Sequence, residues 1–164
     1  MSQLAIRDAA SSDAQRLRRA VVALQDHEGR LHATRLPGEL IADAYLEWML
    51  RRAGERAVLV AEIDGEFVGF AAGWIELEHN IAETPDSNRF GYISDVCVLP
   101  PWRGRRIAPS LIEALEKHLR RAGVTRLRIN ALAANASARA SYKYAGFVEY
   151  GVVYEKVIRN SQLA

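Results

Sequence analysis

Two apolar segments separated by Asp64-Gly65 constrain the fold of this chain more than any other feature of its sequence. Residues 57–63 and 66–75 are rich in Val, Ala, Ile and Phe, and each is long enough for a strand. An Asp-Gly pair accepts the positive φ angles of a tight two-residue turn. The sequence therefore predicts a β-hairpin, and the sheet must contain antiparallel strands.

A strand and two helices precede this hairpin, and strands alternate with helices after it. The spacing of apolar residues predicts strands at 4–9, 90–99, 124–132 and 147–158, and helices at 11–25, 39–53, 107–121 and 136–144. Pro100 and Pro101 end the strand at 90–99, because proline cannot donate to a β-ladder. The element order is β-α-α-β-β-β-α-β-α-β, which predicts an α/β (α+β) chain whose antiparallel strands precede a β-α-β unit.

The turn before the helix at 107–121 has the composition of an anion site. A helix N-terminus leaves N–H groups unpaired and carries roughly half a positive charge. The turn adds arginines, a flexible glycine and a small residue that lets a ligand approach: Arg103, Gly104, Arg105, Arg106 and Ala108. These residues predict phosphate binding, and a solvated basic turn is the alternative interpretation.

The same turn resembles the acetyl-CoA signature of the Gcn5-related N-acetyltransferase (GNAT) family. The family pattern is Arg/Gln-x-x-Gly-x-Gly/Ala, and Arg103 and Ala108 match its two ends. Arg106 stands where the middle glycine usually does. This departure from the pattern is compatible with phosphate binding if the Arg106 side chain points away from the phosphates. The wider resemblance includes Val98, Pro100, Trp102, Arg103, Gly104, Ile107 and Ala108.

A second segment is similar to the closing segment of that family at every spacing: Asn135, Ala138, Tyr142, Gly146 and Phe147. On a helix the first three lie near one face. Without the resemblance, Tyr142 and Tyr144 also fit a role as core aromatics. Two motifs in the family's order extend the resemblance over nearly the whole chain, and it implies the GNAT fold, a mixed central sheet with a splayed fourth strand and helices on both faces.

The resemblance implies acetyl-CoA as cofactor and CoA as product. It implies that the cofactor is bound by Val96, Cys97, Val98, Arg103, Gly104, Arg105, Arg106, Ile107, Ala108, Pro109, Asn135 and Tyr142. The pantetheine arm is expected along residues 96–98, where the N–H of Val96 bonds the thioester oxygen. Asn135 is expected to bond that arm or to order the helix start.

Direct transfer of acetyl to a primary amine, without an acyl-enzyme, is the reaction that the resemblance implies. Tyr142 is the expected general acid that protonates the departing thiolate. An alkylammonium has a pKa of ~10.4 and is protonated at pH 7, so a proton acceptor or a water chain is also needed.

Asp95 is the candidate catalytic base. Many relatives carry a glutamate where Ser94 or Asn130 stands in this sequence. Asp95 shares strand parity with Ile93 and is expected to be partly buried, which raises the pKa of a carboxyl group. A structural hydrogen-bonding role fits Asp95 equally well. Tyr92 and Ser94, expected on the opposite face, are alternatives for holding a water.

Other features bound the classes of protein that fit. A chain of 164 residues fits one domain, with a core at about 3–158 and a frayed tail at 159–164. No apolar run approaches the ~20 residues of a membrane helix, and no signal peptide is expected. The lone Cys97 indicates a reducing cytoplasm, and it fits a buried core residue better than a nucleophile. The histidines lack metal-ligand spacing, so no metal site is expected.

The resemblance does not identify the acceptor beyond an amine of a small molecule or peptide. Two other functions are alternatives to this enzyme. One is an acyl-CoA sensor with reduced catalysis, which the missing acids at 94 and 130 allow. The other is an acetyltransferase toxin acting on aminoacyl-tRNA, which needs a contiguous basic face. A net charge of +2 does not favour nucleic acid, although six arginines could cluster: Arg16, Arg18, Arg19, Arg51, Arg52 and Arg56. A homodimer is an expectation from the family alone.

Overall fold

A five-stranded mixed sheet lies at the centre of the computed structural model, which describes residues 3–53 and 57–158. The strands span Leu4–Asp8 (β1), Val58–Ile63 (β2), Glu66–Leu77 (β3), Arg89–Val98 (β4) and Leu127–Ile129 (β5). The helices span Ala14–Gly29 (α1), Gly38–Ala53 (α2), Ile107–Arg121 (α3) and Ala136–Tyr144 (α4). The strands are adjacent in chain order, and all pairs are antiparallel except β4 with β5. The predicted mixed α/β class is therefore confirmed.

The predicted hairpin is present as β2 and β3. Asp64 and Gly65 connect the strands with φ angles of 50° and 83°, the left-handed values that this dipeptide accepts. In β2, Val58 and Val60 are buried on the face that α1 and α2 cover, and Leu59 and Ala61 are buried on the face that α3 covers. Strand β3 of this hairpin pairs with β2 on one side and with β4 on the other, so the hairpin lies in the middle of the sheet.

Helices pack on both faces of the sheet, as the resemblance implied. On one face α1 and α2 bury a cluster that includes Leu17, Met49 and Phe70. On the other face α3 buries Leu111 and Leu115 against the sheet. The apolar stripe of α3 recurs every three or four residues, which is why its bounds match those predicted from the sequence.

The sheet splays between β4 and β5. These strands pair in parallel only from Gly91–Leu127 to Ile93–Ile129, whereas β4 continues to Val98. The C-terminal half of β4 therefore separates from its neighbour, and the gap lies beside the start of α3. The splayed fourth strand is confirmed.

Three element predictions need correction. α1 continues to Gly29, past the predicted end near residue 25, and β5 covers only three of the residues predicted at 124–132. The strand predicted at 147–158 is wrong: no strand is assigned there, and Val153 is 94% exposed. The N–H and C=O groups of a strand need hydrogen-bond partners on a neighbouring strand. Because β5 is only three residues long, it offers too short an edge for a strand at 147–158.

Within residues 3–53 and 57–158, no helix combines the length and the apolar character needed to cross a membrane. The tail predicted at 159–164 lies outside the described residues.

Candidate active site

A cavity of about 360 Å³ lies where β4 separates from β5. Its walls come from the end of β4, the turn before α3, the first turn of α3, one face of α4 and the last turns of α1. The lining residues are Leu24, His27, Val96, Cys97, Val98, Trp102, Arg103, Gly104, Arg106, Ile107, Ala108, Pro109, Asn135, Ser137, Ala138, Ser141, Tyr142 and Tyr144.

Most of the residues predicted for cofactor binding line this one cavity, and two predicted site residues do not. Arg105 stacks its guanidinium over the ring of Trp102, with 4.8 Å from Cζ to the ring centroid. Asp95 is buried, and it does not line the cavity. The two motifs, separated by 26 residues or more in the sequence, therefore meet at one place in the fold.

Seven lining residues were not among those predicted to bind the cofactor: Leu24, His27, Trp102, Ser137, Ala138, Ser141 and Tyr144. Leu24 comes from α1, and nothing local in the sequence indicates that this helix reaches β4. Ser137, Ser141 and Tyr144 lie on α4 at spacings of four and three, so they share one face. That periodicity beside Ala138 was the signal that could have found them.

The turn before α3 leaves the start of the helix open to a ligand. No side chain caps α3, and Pro109 has no N–H of its own. Gly104 has a φ of 77°, and a Cβ added to it would meet nothing within 4 Å. The Nε of Arg103 donates to the carbonyl of Val98 at 3.0 Å, which ties the turn to the end of β4. The first N–H groups of α3 are thus available to an anion in the cavity.

Arg106, at the place of the usual family glycine, keeps the backbone that a glycine would have. Its φ of 61° and ψ of 17° lie in the left-handed region, which is costly for a residue with a Cβ. Its guanidinium lies over the ring of Tyr144, 5.3 Å from Cζ to the centroid. The departure from the pattern therefore changes the side chain, which stacks on α4, and leaves the path of the turn unchanged.

We expect Arg106→Gly to be more stable than Arg106→Ala by about 1 kcal/mol. Both variants lose the stacking on Tyr144, but only alanine keeps the Cβ that the left-handed conformation disfavours. Urea unfolding of the two variants measures the difference. An alanine variant as stable as the glycine variant would mean that residue 106 is not left-handed.

Tyr142 on α4 and Asn135 at the start of α4 both line the cavity. Burial raises the pKa of the Tyr142 phenol to about 12, so the hydroxyl keeps its proton at neutral pH. The ring of Tyr142 packs 6.2 Å from that of Phe147, centroid to centroid. Asn135 is the N-cap of α4, and its Oδ1 accepts from the N–H of Ala138 at 3.1 Å. Of the two roles considered for Asn135, its contacts match ordering the helix start.

Asp95 lies in a buried polar group on the α2 side of the sheet. Its carboxylate accepts hydrogen bonds from the Tyr45 hydroxyl at 2.9 Å and the Ser94 hydroxyl at 2.6 Å. Burial raises the pKa of Asp95, and these two hydrogen bonds oppose the rise. The predicted burial is confirmed, with a residual exposure of 5%.

The strand-parity argument for the neighbours of Asp95 is wrong, because β4 contains a bulge at Ser94. Asp95 pairs with Ala72, while Ile93 pairs with the next residue of β3, so Ser94 is skipped in the register. Ile93 consequently packs with the α3 side. The ring of Tyr92 packs 5.4 Å from Trp74, and Ser94 bonds Asp95, so neither lies opposite Asp95.

Cys97 is a core residue whose Sγ lies 3.7 Å from the carbonyl oxygen of Ala20. Burial raises the pKa of its thiol to about 12, so it stays protonated and is a poor nucleophile. In the part of the chain that the structure describes, no group of three or more His, Cys, Asp or Glu side chains is arranged to hold a metal.

Comparison with known proteins identifies relatives of the chain. A family model described as "Acetyltransferase (GNAT) family" matches residues 19–147. An uncharacterised N-acetyltransferase of Archaeoglobus fulgidus is 41% identical over 78 residues, which is 47% of this chain and 50% of the relative. One of Bacillus subtilis is 33% identical over 84 residues, 51% of this chain and 52% of the relative. The chain thus spans about half the length of the curated relatives it matches.

Solved structures share the fold at low sequence identity. The aminoglycoside N-acetyltransferase AAC(6')-Iy in complex with CoA is 22% identical, covers 97% of both chains and has a TM-score of 0.72. A protein described as a predicted acetyltransferase with acetyl-CoA, from Clostridium acetobutylicum, is 18% identical, covers 94% of this chain and 96% of its own, and has a TM-score of 0.73.

Proposed function

The chain belongs to the GNAT acetyltransferase family, and we propose from this that it is an acetyl-CoA-dependent N-acetyltransferase acting on a primary amine of a small molecule or peptide. One observation carries the proposal. The cavity joins the open edge of β4, the uncapped start of α3 and the Tyr142 side chain in one space.

The residues present fit acetyl-CoA. The uncapped first turn of α3 suits a pyrophosphate, since free N–H groups and the helix dipole favour negative charge there. At Val96 and Val98, β4 pairs with β3 but not with β5, and this open edge suits the amide-bearing pantetheine arm. When bound, acetyl-CoA supplies the acetyl group as a reactive thioester.

The groups that line the cavity then have separate roles in the reaction. The N–H of Val96 is proposed to bond the carbonyl oxygen at which negative charge develops, a contact typically worth ~10²–10³ in rate. Tyr142 holds a proton on its phenol Oη and gives it to the departing sulfur. The high pKa of Tyr142 keeps that proton in place at neutral pH until it is needed.

For Asp95 we propose a positioning role in place of direct proton abstraction. Its carboxylate does not line the cavity, and both of its neighbours, Tyr45 and Ser94, donate to it. It thereby fixes the bulge that turns β4 and the hydroxyl of Tyr45 on α2.

Asp95→Asn tests that role through stability and rate together. The folded state holds the Asp95 proton more tightly than the unfolded chain, so this carboxyl favours folding below its unfolded pKa. That advantage is lost as pH rises through the raised folded pKa. We expect the variant to unfold at higher temperature than the wild type near pH 8, and this gain to shrink near pH 4. A fall in kcat of ~10² or more would instead identify Asp95 as the base.

Free-thiol release from acetyl-CoA, measured across amines, amino acids, peptides and aminoacyl-tRNA, tests the proposed function. We expect turnover with at least one amine. Tight CoA binding without turnover on any acceptor would favour the sensor and contradict the proposed enzyme.

The toxin alternative has weaker support, because four of the six arginines that might form a basic face pair with acidic side chains, Arg51 with Glu47 among them. Arg16 contacts Glu62, Arg18 contacts Asp43, and Arg52 contacts Glu76. Arg56 lies outside the described residues. A steep salt dependence of RNA binding would favour the toxin.

A further inference from the structure

Residues 148–158 form an extended segment on the surface of the protein after α4. Each of these eleven residues is exposed, and the segment makes no turn. In the part of the chain that the structure describes, none of their backbone N–H or C=O groups is hydrogen-bonded to another backbone group. Seven of the side chains are large and apolar or aromatic: Val148, Tyr150, Val152, Val153, Tyr154, Val157 and Ile158. A contiguous exposed surface of this kind indicates an interaction site.

The segment has the side-chain alternation of a strand that buries one face. In an extended chain, successive side chains point to opposite faces. Five of the six even-numbered residues are apolar or aromatic: Val148, Tyr150, Val152, Tyr154 and Ile158. Three of the five odd-numbered residues are not: Glu149, Gly151 and Glu155. The segment therefore has the composition and the period of a strand, and it lacks only a partner edge.

Side-chain contacts hold both halves of the segment against its own chain. The Tyr150 hydroxyl donates to Oε1 of Glu83 at 3.2 Å, and the guanidinium of Arg128 lies over the Tyr150 ring, 4.7 Å from Cζ to the centroid. Nε2 of His32 lies 3.7 Å from Oε1 of Glu155. Because these contacts use side chains alone, the backbone between them is available to another strand.

The sequence of the segment is complementary to itself in the antiparallel direction. When Val153 lies opposite its own copy, all eleven residues have a partner within the segment. On the even-numbered face the facing pairs are Val148 with Ile158, Tyr150 with Lys156, and Val152 with Tyr154. On the odd-numbered face they are Glu149 with Val157, and Gly151 with Glu155. No two like charges face each other in this register.

The neighbouring registers are less favourable. Centring the pair on Val152 places Glu149 opposite Glu155, and like charges directly opposite each other destabilise a sheet. Centring it on Tyr154 leaves Val148 and Glu149 without partners in the segment. The charge pattern therefore favours one symmetric register, and it identifies a second copy of the chain as the partner that matches it.

We propose that residues 148–158 pair with the same segment of a second copy of this chain, as antiparallel strands related by a two-fold axis at Val153. The pairing supplies partners for backbone groups that have no backbone partner within one chain. A two-fold axis also keeps the apolar faces of both strands on the same side of the ribbon. The resemblance to known acetyltransferases implies neither this surface nor this register.

Val153→Asp tests the pairing, and Ile81→Asp is its matched control. Val153 is exposed in one chain, so the fold tolerates an aspartate, but at the two-fold axis two carboxylates would face each other. Ile81 is a fully exposed apolar residue in the loop between β3 and β4. By analytical ultracentrifugation we expect the wild type and Ile81→Asp to form dimers. For Val153→Asp we expect the dissociation constant of the dimer to rise at least ~10²-fold.

Two cysteine variants test the register. Facing Cα atoms of an antiparallel pair are about 4.5–5.5 Å apart, which a disulfide spans. The two copies of Val153 face each other, whereas the two copies of Val152 are diagonal neighbours, about 7–8 Å apart. We expect Val153→Cys to form a covalent dimer on air oxidation at least tenfold faster than Val152→Cys. Cys97 is buried and does not compete for the new thiol.

Any of three results would overturn the self-pairing: a monomeric wild type, equal dissociation constants for the two aspartate variants, or equal cross-linking of the two cysteine variants. A monomer whose amides at 148–158 are protected from hydrogen exchange would show that the chain covers this segment itself. Acetyl-CoA binding belongs to the cavity, so each of these results leaves the proposed function in place.

Discussion

Tyr142→Phe is expected to lower kcat by about 10²–10⁴, with little change in acetyl-CoA affinity. The substitution removes one hydroxyl and keeps the ring that packs on Phe147, so the fold and the cavity wall are preserved. The loss falls on kcat because the Tyr142 proton is required only when the sulfur departs. Burial keeps the pKa of this phenol at about 12, so no alternative ionisation of Tyr142 should appear in the pH profile below about pH 10.

Steady-state kinetics on the wild type, Tyr142→Phe and Tyr154→Phe check this result. Tyr154 is 92% exposed and controls for the loss of a tyrosine hydroxyl elsewhere. We expect the Tyr154 variant to match the wild type. A kcat for Tyr142→Phe within threefold of the wild-type value would show that Tyr142 is not the general acid.

The parts of the fold that local signals determine were predictable. The Asp64-Gly65 turn required positive φ and has it, and the bounds of α3 and α4 match the pattern of apolar residues. In each case the physical cause, a turn conformation or a helical stripe, lies within a few residues of the element it determines.

The predictions that failed depend on contacts distant in sequence. The bulge at Ser94 arises from the register between β3 and β4, so parity counted along β4 alone assigned Ile93, Tyr92 and Ser94 to the wrong faces. Residues 147–158 have the composition of a strand, but strand formation also requires a free partner edge of sufficient length.

Among the site residues too, those in local sequence motifs were predictable and those brought in by distant contacts were not. The motif residues were predictable because each motif is contiguous, and the sequence order of the motifs implied a shared cofactor. Leu24 was not, since only the packing of α1 over the sheet brings it to the cavity. The left-handed backbone at Arg106 could not be predicted either, because arginine rarely adopts it.

Filling the cavity at Ala108 should abolish cofactor binding while leaving the fold intact. Ala108 is the second residue of α3 and lines the wall where the pyrophosphate is proposed to bind. A tryptophan there occupies space that the ligand needs and covers the first N–H groups of the helix. We expect acetyl-CoA affinity to fall at least 10²-fold, about 2.7 kcal/mol.

Glu113→Trp is the matched control for Ala108→Trp. Glu113 lies on the same helix with its side chain 64% exposed, and its carboxylate pairs with Lys117 on the helix surface. The same tryptophan there leaves the cavity open. Similar melting temperatures for the two variants would show that any difference in binding comes from the cavity and not from unfolding.

Calorimetric titration of acetyl-CoA into the wild type, Ala108→Trp and Glu113→Trp tests the central claim most directly. We predict one site per chain in the wild type and in Glu113→Trp, and loss of that site in Ala108→Trp. Equal binding by all three proteins would place the cofactor elsewhere, and absence of binding by the wild type would contradict the acetyltransferase assignment.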